Sequence, residues 1–90
     1  MKETVFRFEL RIDPANPENS FQGLTAKLAT LSGVLAIKSE LSENGISLSV
    51  HVSFADSEHA KRLHRKILNK IIGHEGVTIL QVKTKLTDIF

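Results

Sequence analysis

Twice in this chain an apolar stripe of helical period runs into a Gly-Val step and turns into an extended segment. The first instance is Leu28-Ala29-Thr30-Leu31-Ser32-Gly33-Val34-Leu35-Ala36-Ile37, and the second is Ile71-Ile72-Gly73-His74-Glu75-Gly76-Val77-Thr78-Ile79. Ninety residues have room for one hydrophobic core. A doubled helix-to-strand unit on this scale therefore predicts the two halves of a single domain over 1–90.

The segments around the repeat complete the pattern. Thr4 to Ile12 alternates, with Phe6, Phe8, Leu10 and Ile12 on one face and Val5, Arg7, Glu9 and Arg11 on the other, as a half-buried strand requires. Two prolines in Asp13-Pro14-Ala15-Asn16-Pro17-Glu18-Asn19 break it, and Asn19 or Ser20 is placed to cap the helix that follows. Phe21, Leu24, Leu28 and Leu31 form the stripe of that helix, and Gly33 supplies a left-handed stop. Leu35, Ile37 and Leu41 mark a second strand. Ser42-Glu43-Asn44-Gly45 carries the Asn-Gly pair of a tight hairpin. Beyond it Ile46, Leu48, Val50, Val52 and Phe54 alternate with Ser47, Ser49, His51 and Ser53. Asp56 or Ser57 caps a second helix striped by Ala60, Leu63, Ile67, Leu68 and Ile71, ended by Gly73 and Gly76. Val77 to Leu86 forms the last strand, and Val77 and Ile79 fall out of phase with Leu80, Val82 and Leu86, which predicts a bulge near Ile79. The order is βαββαβ. Right-handed crossovers then place both helices on one face of a four-stranded antiparallel sheet, the α+β ferredoxin-like sandwich.

Composition narrows the function classes. A net charge of +2 is too slight to call for nucleic acid or an anionic membrane as partner. With no cysteine there is no disulfide, thiolate metal site or thiol nucleophile, which fits a reducing, cytoplasmic setting. Met1-Lys2-Glu3-Thr4 has no apolar run behind a basic start, and no stretch approaches the ~20 apolar residues of a membrane span. No membrane insertion by this chain is expected.

The unit Leu31-Ser32-Gly33-Val34-Leu35-Ala36-Ile37, with its Asn-Gly hairpin and second Gly-Val, resembles ACT-type regulatory domains and heavy-metal-associated domains. Those families, and acylphosphatases of similar length, act through the loop between the first strand and first helix, here Asp13 to Asn19. That loop holds no Cys-x-x-Cys for a soft metal, no Gly-rich, Arg-bearing cradle for an acyl phosphate, and no glycine to close over an amino acid. The resemblance implies an ACT-like shape without its usual ligand. In strand order and size the chain is also similar to the cytosolic C-terminal domain of MgtC-type membrane proteins, which implies a sensor on the cytosolic face of a transport-associated membrane protein.

The chemistry-bearing residues are few. No Ser-His-acid order or phosphate-binding turn is present, so no catalytic residue, no cofactor and no enzyme activity are expected. Of the four histidines, His64 falls on the buried side of its helix, where a packed imidazole with one hydrogen bond is expected. His59 and His64 stand about 140° apart around the helix and cannot chelate one ion together. The alternative of a divalent-metal site rests on His51 and His64. The open sheet face is the expected ligand or partner surface, through Arg7, Arg11, Ser49, His51 and Lys83, with Lys38 and Glu40 at its border. It has no stacking aromatic, which disfavours nucleic acid, and weak single-strand binding through Arg7, Arg11 and Lys83 is a second alternative. ACT-like domains pair through sheet edges or faces, which implies a homodimer or another protein partner. The expectation is a non-catalytic regulatory or interaction domain working through dimerisation and binding of a small ligand or partner.

Overall fold

A computed structural model describes residues 2–12, 17–43 and 45–84, by backbone alone over 17–20. The elements are β1 (Lys2–Ile12), α1 (Pro17–Ala29), β2 (Val34–Ser42), β3 (Gly45–Phe54), α2 (Ser57–Ile72) and β4 (Val77–Val82). The strands form one antiparallel sheet in the order β2-β3-β1-β4. This is the βαββαβ arrangement of a ferredoxin-like α+β sandwich.

The centre of the sheet is the long ladder between β1 and β3. It sets Phe6 opposite Val50, Phe8 opposite Leu48 and Thr4 opposite Val52. Because side chains alternate along a strand, this one register sends Phe6, Phe8, Leu10, Leu48, Val50 and Val52 to the same face, where all are buried. Leu24 and Leu28 of α1 and Ala60, Leu63, Ile67 and Ile71 of α2 close over them in one core. Each large side chain buried there contributes about 1.5–3 kcal/mol relative to exposure. Val5, Arg7 and Glu9, with Ser47, Ser49 and His51 opposite them, point the other way.

The joints follow from local chemistry. Asp56 caps α2, its Oδ1 accepting from the His59 amide at 2.9 Å. Gly33 and Gly76, the glycines of the two Gly-Val steps, take φ of +96° and +86°, a turn that a Cβ would strain. The Gly33 carbonyl then accepts from the Ser53 amide at 2.8 Å and starts β2 on β3. In β4 the pairing passes from Leu10–Ile79 to Glu9–Gln81, so Leu80 is the extra residue of a bulge. That bulge lets Ile79 and Val82, out of phase in sequence, pair with the core residues Leu10 and Phe8.

Two expectations change, and the strand marked by Leu35 and Leu41 forms with both side chains exposed. Helix α1 begins at Pro17, so Asn19 and Ser20 lie inside it and do not cap it; proline suits the first turn because its missing N–H is unpaired there anyway. Leu35 and Leu41 are 56% and 90% exposed, because β2 is an edge strand with a pairing irregularity at Leu35 and no neighbour beyond it. Strand β4 ends at Val82, and Leu86 lies outside the described residues, as does Asn44 of the hairpin.

Gly45 has a second role besides opening β3, since a Cβ there would run into the Leu10 carbonyl of β1. Gly45→Ala should destabilise the fold by about 1–3 kcal/mol, read as a lower urea midpoint with unchanged slope. An unaltered midpoint would contradict this close approach.

Candidate functional site

The open face of the sheet carries an open trough of about 560 Å³ lined by Val5, Arg7, Lys38, Glu40, Ser47, Ser49, His51 and Lys83. Strand register explains the membership. Lys38 pairs with Ser49, Ser49 with Arg7, and the Lys83 amide donates to the Arg7 carbonyl at 2.8 Å. Lys38, Ser49, Arg7 and Lys83 thus form one row straight across the four-strand width. The neighbouring row is Glu40, Ser47, Glu9 and Gln81, and beyond the first row on its other side stand Ala36, His51 and Val5.

Thr84 holds the β4 end of this row. Its Oγ1 accepts from the Arg7 amide at 2.8 Å and donates to the Arg7 carbonyl at 3.1 Å, so a side chain continues the ladder past the end of the strand. Glu9 anchors the acidic row. Its Oε1 accepts from Ser42 Oγ at 3.0 Å, and Lys83 Nζ approaches its Oε2 at 3.5 Å. No acidic side chain among the described residues stands within ion-pair distance of the Arg7 guanidinium.

Of the residues expected on this surface, Arg7, Ser49, His51 and Lys83 come together in the trough. Arg11 does not: it sits beyond the trough at the end of β1, opposite Thr78. The two roles of Glu9 and Thr84 went unforeseen. Glu9 shows in sequence only as one more outward charge, and Thr84 acts through a side-chain contact that no periodicity encodes.

The histidines separate. His51 faces the trough, whereas His64 is buried on the helix side, so the sheet stands between them and they do not share one ion. The His64 ring lies edge-on to Phe6 at 4.8 Å and stacks on Phe8 at 5.5 Å. Its Nε2 has no hydrogen-bond partner. Burial lowers its pKa below the ordinary histidine value of 6.5 by penalising the imidazolium. His59 is occupied elsewhere, its Nδ1 accepting from the Ala55 amide at 3.0 Å. Among the described residues no group of three or more His, Cys, Asp or Glu is placed to hold a metal ion, and no helix is long and apolar enough to cross a membrane.

No protein-family model and no curated protein matches the chain. Among solved structures it is similar to the crystal structure of PH0061, at 14% identity and a TM-score of 0.46, over 90% of this chain and 53% of that one. The chain thus spans about half the length of that structure. At this level of likeness the strand order alone carries the fold.

The buried imidazole sets a pH signature. A histidine with a lowered folded pKa makes the unfolded state the better proton binder, so stability is full above about pH 6.5 and falls as pH drops from there through the folded pKa. Urea midpoints should be flat from pH 8 to about 6.5 and decline below it, and His64→Leu should remove that decline. An equal decline in the variant would place the titrating group elsewhere.

Proposed function

We propose that this chain is a non-catalytic regulatory or interaction module that acts as a pair of identical chains joined along β2, with the open-face trough receiving a small ligand. The observation that carries this reading is the self-complementarity of the β2 edge. Lys38 and Glu40 pair with Ser49 and Ser47 and so stand on the open face, while Ile37 and Leu41 pair with Val50 and Ile46 and so stand on the helix face. A second copy laid antiparallel along β2, with Ser39 on the twofold axis, sets Lys38 opposite the partner's Glu40 and Glu40 opposite the partner's Lys38. The same register sets Ile37 opposite the partner's Leu41 and Leu41 opposite the partner's Ile37.

Registers centred on Lys38 or Glu40 bring like charges face to face, which opposes pairing. Half-step registers set residues of opposite faces against each other. The register centred on Ser39 alone sets Lys38 and Glu40 against their opposites, and it also covers the most exposed large apolar side chain of the sheet, Leu41. An isologous contact of this kind repeats each favourable pair twice.

Lys38 belongs to both the pairing edge and the trough. What occupies the trough competes with the partner's Glu40 for that ammonium, which couples ligand to association. Such coupling fits an ACT-like regulatory role in the cytoplasm, including on the cytosolic face of a transport-associated membrane protein.

Charge exchange tests the pairing. In sedimentation velocity over a concentration series, Lys38→Glu should weaken self-association about tenfold or more, since two attractive pairs become two repulsive ones. The double variant Lys38→Glu/Glu40→Lys should restore it. A wild-type chain that stays monomeric throughout, or a double variant no better than the single one, contradicts the proposed edge.

A further inference from the structure

We infer that the trough is an oxyanion site, built to take one phosphate group of a small molecule at Arg7 and Ser49 between Lys38 and Lys83. The inference rests on the ligand-binding half of the proposed function; the pairing edge shares Lys38 with the site but does not carry it. Three cationic side chains and a hydroxyl stand in one row across four strands, spanning about 14 Å from β2 to β4 at roughly 4.8 Å per strand. Arg7 and Lys83 are cross-strand neighbours of like charge, an arrangement that costs the free protein stability and that an anion between them relieves. Lys83 is partly satisfied by Glu9 at 3.5 Å, but the Arg7 guanidinium has no acidic partner among the described residues. A guanidinium fork beside a hydroxyl and two ammonium groups offers many donors in one place, and an oxyanion supplies the matching acceptors.

The scaffold under Arg7 is unusually well held. Its carbonyl accepts from both the Lys83 amide and Thr84 Oγ1, and its own amide donates to Thr84 Oγ1. These bonds fix the backbone from which the guanidinium and the Lys83 ammonium project. They also hold Lys83 beside Arg7 although the regular strand ends at Val82.

Register also sets the size of the ligand. One step along the strands, roughly 7 Å away, the row of cations gives way to Glu40 and Glu9, and on the other side to Ala36, His51 and Val5. A polyanion laid along the strands would place its next phosphate against carboxylates or against a patch without fixed positive charge. A single phosphate group meets only the cationic row. Among the described residues the trough lining has no Phe, Tyr or Trp on which a base would stack, and His51 is its one ring, so a phosphorylated small molecule fits better than a nucleic-acid strand.

The probe is inorganic phosphate, titrated into the isotope-labelled chain at constant ionic strength and followed by amide chemical shifts. Saturable shifts should concentrate at Arg7, Ser49, Lys83 and Thr84. Sulfate should compete, and acetate should bind more weakly. Arg7→Gln, exposed and expected to keep the fold, should weaken binding about tenfold, and Lys83→Gln should weaken it less because Glu9 already holds that ammonium. Arg62→Ala on α2 should leave binding unchanged. Shifts that stay linear with concentration, that spread over both faces, or that survive Arg7→Gln would overturn the site. A single-stranded oligonucleotide binding more tightly than phosphate through the same residues would overturn its restriction to one phosphate group. Self-association measured in phosphate-free buffer reports on the β2 edge separately, so a monomer that binds phosphate refutes the pairing and not the site.

Discussion

The ladder between β1 and β3 is the interaction on which the rest of the structure depends. Its register decides in one step which residues enter the core and which face outward: Phe6, Phe8, Leu48 and Val50 meet the helices, and Arg7, Ser47, Ser49 and His51 line the open face. A slip by one residue would exchange the two sets and bury a guanidinium and an imidazole where four large apolar groups now sit. Core and trough are thus two readings of the same alternation.

The helix side tolerates one departure from apolar packing. His64 sits over Phe6 and Phe8, directly beneath the strand that carries Arg7 between them on the other face. Burial keeps that imidazole neutral near pH 7, and its unpartnered Nε2 opposes the fold by the cost of a desolvated polar atom. The edges behave differently. Strand β4 is bulged at Leu80, which spoils it as a template, whereas β2 presents regular backbone from Ala36 to Ser42 with a charge pattern that reads the same from its partner's side.

Much of this was legible from residue order. Strict alternation over Thr4–Ile12 and Ile46–Phe54 revealed the two central strands and both of their faces, and the phase break around Ile79 announced the bulge, because period-two patterning responds directly to burial on one side. The start of α1 was misread because Asn19 and Ser20 have cap chemistry, while the actual start follows from Pro17 fixing the first turn. Leu35 and Leu41 mark β2 by their apolar character, but their exposure was not legible, because nothing local tells an edge strand from an inner one. The trough was half visible: four of five expected residues gather there. Arg11 shares their face but stands at the end of β1, since alternation gives the side of a sheet and not the position along it. The bonds of Thr84 and Glu9 join residues 77 and 33 positions apart, beyond the reach of any local pattern.

The reading as a paired module depends on whether the outer rim of β2 is hydrogen-bonded in solution. Amide hydrogen exchange resolved by residue, run at low and high protein concentration, observes that rim directly. The account predicts that protection across Ala36–Ser42 rises with concentration while that of β4 stays constant. Exchange in β2 that is independent of concentration would contradict it.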